Sequence, residues 1–438
     1  MINVNLDLTK NDGAFKIMHA VNNGPCHKRH TNDQLHSNFA DYKAARIPYA
    51  RNHDASYCST YGGEHSVDIS AIFPNFDADP YDEASYDFVC TDEYVLVTLD
   101  AGTETYYRLG QKIEHYVKKF GTLPPKDFKK WAVICEHIIR HYNEGWAAGF
   151  KLNIQYWEIW NEPDLDPDDS LDKRTWGGTT AEFFDLFEIT AKHLKSCFPH
   201  LKIGGPAVAS VSTPWVENFL CEMKRRGVPM DFFSWHIYNC KVSAIVDLAN
   251  TMRGLLEKSG YGDAESILNE WNYVKGWVEE FTYSIKQIIG YKGAAFTMAT
   301  MSACQYAPVD MLMYYDARPC GFNGLFDIYT MEKLKGYYPF LWYSYLYDCE
   351  YSVRAECDDE DIYTLLGVNS DGSIVATVTY YTDDDNAPSK DVKINMANPP
   401  ECEIYLVDFE HNGELVARTR DLSFTMKANS IILIKEKK

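Results

Sequence analysis

The hydrophobic pattern of residues 15–347 alternates between two kinds of segment. Short runs rich in β-branched and aromatic residues are followed by longer stretches whose apolar residues recur at helical spacing. This alternation is typical of βα units built around a parallel sheet. The predicted strands are 15–22, 47–53, 105–110, 156–162, 202–208, 231–238, 266–272 and 311–316. Eight such units predict a (β/α)8 barrel, the TIM barrel, and the length of the segment suits it.

Several helices of this region have a clear pattern. Apolar residues recur at helical spacing over 124–143, and similar patterns predict helices over 180–198 and 215–226. Residues 93–99 are also rich in β-forming side chains, but the Ala-Gly pair that follows them is typical of a helix end. A helix is therefore expected there, before the third strand of the barrel.

After residue 347 the pattern changes to short β-rich runs separated by turn residues, such as those of 369–373. The predicted strands of this part are 362–368, 374–381, 392–396, 403–409, 415–418 and 431–435. Closely spaced strands with such turns predict an antiparallel β-sandwich. We therefore expect a barrel domain over 15–347 and a C-terminal β-sandwich domain over 348–438, with a strand from 1–14 joining the sandwich.

Composition limits the classes of partner. Hydrophobic residues make up 46% of the 438 residues, which is enough for a sizeable core. The net charge of −21 argues against a nucleic acid as partner, because its phosphate backbone requires a basic surface. No apolar run reaches the length of a transmembrane helix, so no membrane partner is expected. The sequence leaves open whether the chain forms a homo-oligomer.

The cysteines indicate the redox setting. The chain has 12 of them, none in a Cys-x-x-Cys motif and none at metal-ligand spacing from a histidine. Reduced thiols are therefore expected, with no metal and no cofactor. The first residues show neither the basic region nor the apolar stretch of a signal peptide. Together these features favour a cytoplasmic localisation.

Two glutamates carry the candidate chemistry. Glu162 ends the predicted fourth strand, just before Pro163, and Glu270 comes at the end of the predicted seventh strand. The carboxyl ends of barrel strands form the active face, and strands four and seven lie on opposite sides of its mouth. Two carboxylates that face each other across a cleft are the groups that cleave a glycosidic bond. A separation of about 5–5.5 Å between them would imply retention through a covalent glycosyl-enzyme.

Seven short motifs occur along the barrel in a definite order. They are Val21-Asn22-Asn23-Gly24-Pro25, Arg51-Asn52-His53-Asp54, Pro124-Pro125-Lys126-Asp127 with Trp131, 157–163, Gly204-Gly205-Pro206-Ala207, 231–238 and Glu270-Trp271-Asn272. The Asn-Glu-Pro triplet at 161–163 alone is a weak signal, because it occurs across a clan of TIM-barrel retaining glycosidases. All seven in this order resemble glycoside hydrolase family 39, which includes β-xylosidases and α-L-iduronidases.

This resemblance implies roles for several residues. Glu162 would be the acid/base and Glu270 the nucleophile. Asn161 would hydrogen-bond the sugar hydroxyl next to the reacting carbon, a contact that strengthens in the transition state. Tyr238 would lie near Glu270 and hold its charged form through an O–H bond. The alternatives are a simple turn residue for Asn161 and a buried barrel tyrosine for Tyr238.

Other residues near strand ends are candidates for substrate binding. His53 and His236 end strands two and six, and each is expected to donate to a sugar hydroxyl. Asp54 is expected to orient His53 or to bind a hydroxyl itself. Glu114 follows strand three and Tyr315 ends strand eight, so both are expected at the rim of the pocket. For Glu114 the alternative is a solvated loop position.

Two further expectations concern the surroundings of Glu162 and Glu270. Glu158 lies four residues before Glu162 in the same predicted strand, so its side chain points to the same side but deeper. We interpret it as a buried structural carboxylate paired with Arg51 or Arg108. The segment 56–84 follows strand two and is expected to form one wall of the pocket, which would make it important for the choice of sugar.

The hypothesis that follows is a retaining exo-glycosidase of the β-xylosidase type, which cleaves terminal pentosyl residues from oligosaccharides by double displacement. An α-L-iduronidase-like or arabinosidase-like specificity is an alternative within the same chemistry. A uronate would require a cation, for which Lys275 or Arg318 is a candidate. A catalytically silent carbohydrate-binding protein is an alternative from another class, and the presence of both glutamates disfavours it.

Overall fold

The computed structural model describes residues 1–26, 37–55 and 66–437. Strand β1 (Ile2–Asn5) precedes a closed barrel of parallel strands. The barrel strands are β2 (Ile17–Asn22), β3 (Tyr49–Arg51), β4 (Glu104–Leu109), β5 (Tyr156–Ile159), β6 (Lys202–Val208), β7 (Phe232–Asn239), β8 (Glu265–Tyr273) and β9 (Met311–Tyr314). Strand β9 pairs with β2 and closes the ring. The predicted TIM barrel is confirmed, and each predicted strand overlaps an observed one.

Helices surround the barrel. Those of the described ranges are α1 (Phe39–Ala44), α2 (Ile69–Ile72), α3 (Val89–Asp100), α4 (Phe128–Asn143), α5 (Thr180–Cys197), α6 (Pro214–Arg225), α7 (Val242–Lys258), α8 (Phe281–Ile288), α9 (Tyr291–Cys304) and α10 (Tyr337–Tyr347). Local sequence sets two of the starts. Asp127 accepts from the backbone N–H groups of Lys129 and Lys130 at the start of α4, and Thr179 with Glu182 forms a capping box on α5. The predicted helices are confirmed, and 93–99 lies within α3.

The barrel interior is layered. Ala20, Tyr106, Tyr156, Phe232, Ile267, Met311 and Met313 form one apolar cluster inside it. Two residues farther along β5 and β7, the inward positions hold Glu158 and Ser234, because side chains on the same face of a strand recur every second residue. A polar layer therefore lies above an apolar base, and it lies towards the carboxyl ends of the strands.

The two key glutamates lie differently from the prediction. Strand β5 ends at Ile159, and Trp160 and Glu162 adopt φ values of 74° and 48°, which non-glycine residues rarely adopt. Glu162 therefore lies in the loop after β5, where its N–H donates to the Ala207 carbonyl at 2.8 Å. Strand β8 continues to Tyr273, so Glu270 lies inside its strand and not at its end.

The C-terminal part consists of two sheets. Its strands are β10 (Tyr351–Arg354), β11 (Glu356–Cys357), β12 (Ile362–Val368), β13 (Ile374–Tyr380), β14 (Lys390–Asn395), β15 (Cys402–Val407), β16 (Asn412–Thr419), β17 (Ser423–Met426) and β18 (Ser430–Glu436). The sheets have the orders β11-β1-β14-β17 and β10-β12-β13-β18-β15-β16. All pairs are antiparallel except β1 with β14, so the N-terminal strand joins this part in a parallel pairing. The short strands β10, β11 and β17 were not predicted.

Polar contacts join the C-terminal sheets to the barrel. The Tyr273 hydroxyl at the end of β8 donates to Asp383 at 2.6 Å, and Lys275 Nζ lies 2.9 Å from the same carboxylate. Lys292 of α9 donates to Asp385 at 2.7 Å, and its side chain is only 1% exposed. The strand that carries Glu270 is therefore anchored to the sheets by charged groups. In the described part of the chain, no helix is long and apolar enough to cross a bilayer.

Candidate active site

A cavity of about 840 Å³ opens at the carboxyl ends of the barrel strands. Both Glu162 and Glu270 line it, together with His53, His236 and Tyr315. The loops and strand ends that surround it come from β3 to β9. The structure thus brings the two predicted glutamates to one site from segments far apart in sequence.

Glu270 is held by a cation and a phenol. The Arg51 Nη1 group donates to Glu270 Oε1 at 2.7 Å, and the Tyr238 hydroxyl donates to Oε2 at 2.8 Å. Burial raises the pKa of Tyr238 well above its usual value, so the phenol keeps its proton and acts as a donor. The structure thus places Tyr238 against Glu270, as expected from the sequence, and adds Arg51 as a second partner.

Arg51 is itself fixed from below by Glu158. The Arg51 Nε group donates to Glu158 Oε2 at 2.6 Å, and neither side chain has exposed surface. Glu158 also accepts from Ser234 at 2.6 Å and from Asn269 at 2.6 Å. The interpretation of Glu158 as a buried carboxylate is confirmed, with Arg51 as its partner; Arg108 instead donates to Asp68 at 2.7 Å.

Glu162 has a less polar environment. Its Oε1 lies 2.8 Å from His236 Nδ1, and no cation hydrogen-bonds to its carboxyl within the described residues. Burial raises the pKa of Glu162 to about 7, against the opposing influence of Arg51 and Arg174. The carboxyl therefore keeps its proton up to nearly neutral pH, which is the state that a proton donor needs.

The two carboxyls are close and their environments differ. Ligand atoms of Glu162, His236 and Glu270 all lie within 4.8 Å of one another. Burial also raises the pKa of Glu270, but the directly bonded Arg51 acts against this rise. We therefore regard Glu270 as the more readily ionised of the two, because a charged hydrogen bond stabilises its anion.

His53 and His236, two of the histidines that line the cavity, are neutral. Burial lowers the pKa of His236 to about 4 and the pKa of His53 well below its usual value. His53 Nε2 lies 3.6 Å from Glu270 Oε1 and 3.9 Å from Asp54 Oδ1. Neutral imidazoles can donate or accept hydrogen bonds without adding charge, so Arg51 is the fixed positive charge next to Glu270.

Asn161 and Tyr315 make the remaining polar contacts of the site. Asn161 Oδ1 accepts from Arg51 at 2.7 Å, and its buried amide nitrogen has no hydrogen-bond partner among the described residues. The Tyr315 hydroxyl donates to Asp54 Oδ2 at 2.6 Å, and Arg318 Nη2 lies 3.6 Å from the same oxygen. Asn161 thus retains donors for a ligand, whereas Asp54 is partly occupied by its neighbours.

Residues 10–284 match the family model described as glycosyl hydrolases family 39. The chain belongs to this family. The predicted resemblance is therefore confirmed, and four of the seven motifs that carried it contribute residues that line the cavity.

Relatives of this family 39 chain include two proteins named β-xylosidase. One, from Geobacillus stearothermophilus, is 36% identical over 124 residues, which is 28% of this chain and 23% of the relative. The other, from Caldicellulosiruptor saccharolyticus, is 28% identical over 181 residues, covering 39% of this chain and 34% of the relative. The matches thus span about a quarter to a third of the length of these relatives.

A solved structure of similar fold is a glucosidase from Croceicoccus marinus. It superposes with a TM-score of 0.78 over 99% of this chain and 98% of its own, at 22% identity. This likeness covers the barrel and the C-terminal sheets together, and it concerns the fold.

Asn161, Asp54 and Glu114 are the predicted site residues that do not line the cavity. Glu114 is held by its own loop. Its carboxylate accepts from the backbone N–H groups of Phe120 at 3.0 Å and Gly121 at 3.1 Å, and from the Thr122 hydroxyl at 2.7 Å. It is buried, so the solvated-loop alternative does not describe it either. Its chain neighbours Ile113 and His115 line the cavity instead. Glu114 organises the loop after β4.

The expected wall from segment 56–84 is not observed in the described part of it. Residues 56–65 lie outside the described residues, and none of 66–84 lines the cavity. The sequence interpretation also missed lining residues in two loops and in helix α7, chiefly Leu165, Trp277 and Leu248. Leu248 has helical spacing within α7, which is the usual signature of core packing, and the two loop residues follow no periodic pattern.

Metal-ligand geometry in the described residues is limited to three groups. They are Glu162 with His236 and Glu270, Glu136 with His193 and Cys197, and Asp408 with Glu410 and His411. In the second group His193 Nε2 lies 2.7 Å from Glu136, which also binds Arg140 at 2.7 Å. In the third His411 Nδ1 lies 2.8 Å from Asp408. These ion pairs account for the second and third groups. The first group consists of the two cavity glutamates and His236.

Proposed function

We propose that this family 39 chain is a retaining exo-glycosidase of the β-xylosidase type, which removes terminal pentosyl residues from oligosaccharides. The observation that carries the proposal is the pair of buried carboxyls in one cavity, in which one oxygen of each lies within 4.8 Å of one oxygen of the other. Inverting enzymes need room for a water between the carboxyls, with separations of about 6.5–9.5 Å. So close an approach of the two carboxyls supports direct attack by one carboxylate.

The different environments of Glu162 and Glu270 support different catalytic roles for them. Glu270 attacks the anomeric carbon while the bond to the leaving oxygen breaks, and Glu162 donates its proton to that oxygen. Glu162, now a carboxylate, then takes a proton from water, whose oxygen attacks the same carbon and releases Glu270. Arg51 and Tyr238 stabilise the charge that Glu270 carries before attack and after release.

The cations near the site are already paired with aspartates, which favours a neutral sugar over a uronate as substrate. Arg318 lies 3.3 Å from Asp316 and 3.6 Å from Asp54, and Lys275 lies 2.9 Å from Asp383. Arg174, which lines the cavity, donates to Asp166 at 2.6 Å. A uronate carboxylate needs a cation that it does not share, so these pairings disfavour the iduronidase-like alternative. Both curated relatives carry the name β-xylosidase, which supports a pentoside as substrate.

A panel of 4-nitrophenyl glycosides tests the substrate. We expect the β-D-xyloside to give the highest kcat/KM, followed by the α-L-arabinoside, with the uronides slowest. Xylotriose should release xylose from one end, so that xylose and xylobiose appear first. Preference for a uronide would overturn the pentoside assignment, and release of internal fragments from longer chains would overturn exo action.

The stereochemistry tests the mechanism separately. Proton NMR of the sugar released in the first minutes, before mutarotation, identifies the anomer that forms first. We expect the β anomer from a β-xyloside, because two displacements restore the configuration. An α anomer would show inversion and would exclude a covalent intermediate on Glu270.

A further inference from the structure

The aliphatic and aromatic side chains of the cavity lie on different sides of it. Among the described residues, the aliphatic ones that line it are Ile113, Leu165, Ala209, Ile237, Ala244 and Leu248. All of them belong to β7 or to segments that follow β4, β5, β6 or β7, and we call them the aliphatic wall. The aromatic rings that line it, those of Tyr238, Trp277, Tyr315 and Phe322, lie at the end of β7 or follow β8 and β9.

The aliphatic wall adjoins Glu162, the proposed acid. Leu165 lies in the same loop, and its N–H donates to the Glu162 carbonyl at 3.1 Å. The next strands of the ring, β6 and β7, supply the loop and helix that continue the wall. The acid protonates the oxygen of the leaving group, so that group must lie on the side of Glu162. The wall therefore faces the aglycone, the part of the substrate that departs.

An aliphatic wall is a poor partner for a second sugar. A hydroxyl that leaves water without gaining a hydrogen bond costs free energy, and aliphatic side chains offer none. Polar lining residues of this side are His115, Arg174, Ser210 and Ser212, and the Arg174 guanidinium is already paired with Asp166. Apolar carbon placed on the same wall would instead be stabilised by its removal from water.

The size of the cavity suits a larger aglycone. Its volume of about 840 Å³ is in the upper part of the range for sites of drug-sized ligands. One pentosyl unit at the glutamates occupies only part of that volume. The remaining space continues along Ala244 and Leu248 of α7, whose side chains are half-buried.

We propose that the aliphatic wall is a subsite for a hydrophobic aglycone, so that glycosides of apolar alcohols or phenols bind better than disaccharides with the same terminal sugar. The inference rests on the proposed function, because it takes Glu162 as the group that faces the leaving oxygen. It adds the substrate class, which the pair of glutamates does not determine.

Binding of non-hydrolysed ligands tests the wall without turnover. The ligands are methyl and octyl 1-thio-β-D-xyloside, and calorimetry gives Kd for each. We expect the octyl compound to bind about 100-fold more tightly, since each fully buried methylene contributes up to about fourfold. The S-linked analogue of xylobiose, which is not hydrolysed, should bind no better than the methyl compound. Equal Kd values for the octyl and methyl compounds would overturn the inference.

Variants locate the octyl chain. Leu248→Asn places a polar amide on the wall, and the ratio of the methyl Kd to the octyl Kd should fall by about tenfold. Ala244→Phe fills the same space and should lower the ratio further, which gives a second test if Leu248→Asn folds poorly. The matched control is Leu255→Asn, which makes the same change on α7 at a half-buried position that does not line the cavity. An unchanged ratio in both wall variants would place the octyl chain elsewhere and overturn the inference.

Turnover separates this inference from the proposed function. Methyl and octyl O-β-xylosides have leaving groups of similar acidity, so a higher kcat/KM for the octyl compound reports binding of the chain. Hydrolysis of both at equal kcat/KM would contradict the inference and leave the glycosidase proposal intact. Absence of hydrolysis with a retained 100-fold preference in binding would contradict the glycosidase proposal and leave the apolar subsite intact.

Discussion

Two glutamates of the same cavity lie in opposite kinds of environment. Glu270 accepts from a guanidinium at 2.7 Å and a phenol at 2.8 Å, whereas Glu162 contacts a neutral imidazole at 2.8 Å. Both are almost fully buried, so burial alone does not distinguish them. The difference is the direct hydrogen bond from the Arg51 guanidinium, which Glu270 accepts and Glu162 does not. Position relative to Arg51 therefore determines which carboxyl is suited to attack and which to donate a proton.

The largest expected effect on kcat comes from removing the carboxylate of Glu270. Glu270→Gly should lower kcat by a factor on the order of 10⁴ or more, since the variant lacks the carboxylate proposed to form the covalent intermediate. Added azide should restore turnover of an activated aryl glycoside and give a glycosyl azide of inverted configuration. The wild type, assayed in parallel, should not respond to azide. Failure of azide to restore turnover in a folded variant would contradict the assignment of Glu270.

Removal of the acid should give a loss that depends on the leaving group. With xylobiose, whose departing oxygen needs a proton, Glu162→Ala should lower kcat/KM by about 10²–10⁴-fold. The loss in the glycosylation step should be less than about tenfold on a dinitrophenyl glycoside, whose leaving group departs as an anion. Rates with a series of aryl leaving groups measure the dependence. Equal losses across the series would show that Glu162 does not donate the proton.

A variant of Arg51 tests why Glu270 ionises more readily than Glu162. Arg51→Lys keeps a charge but cannot bond Glu158, Glu270 and Asn161 together, so kcat/KM should fall by about 10–100-fold. The pKa of Glu270 should rise without the guanidinium, and activity requires its ionised form. The acid limb of the pH profile of kcat/KM should therefore move to higher pH, by about one unit. An unmoved acid limb would mean that Arg51 does not set the charge of Glu270.

The smallest effect is the pH dependence of the unmodified protein. Glu162 must be protonated to act as acid, and its pKa is raised to about 7. The proton is lost as pH rises, so kcat/KM should fall above about pH 7 and approach a tenfold loss per unit. Glu162→Ala, assayed on a dinitrophenyl glycoside, should lack this alkaline limb. A limb that persists in the variant would belong to another group.

The sequence was sufficient for the barrel because its strands repeat one simple pattern. Apolar runs such as 202–208 and 266–272 match observed strands to within a residue at each end. Glu162 was identified through its motif, but its left-handed backbone and its place beyond β5 were not, since no periodicity describes a loop. The same limit hid Leu165 and Trp277, which follow strands without a pattern of their own.

Contacts between distant residues were the other limit. Arg51 was identified as a partner of Glu158, but its bond to Glu270 joins residues that are 219 positions apart. Glu114 has the residue type and the position expected of a rim carboxylate. Four hydrogen bonds from its own loop occupy its carboxylate, and such local competition is visible only in three dimensions.

The anchoring of β8 limits how this protein can be shortened or recombined. Strand β8, which carries Glu270, ends at Tyr273, whose hydroxyl donates to Asp383 in the loop between β13 and β14. A barrel cut free after Tyr347 would lose that acceptor, and Lys292 would lose both of its carboxylate partners, Asp383 and Asp385. A chimera that exchanges the sheets between relatives would have to supply both carboxylates at the same places. For protein engineering, the smallest transferable unit is therefore the barrel together with its sheets.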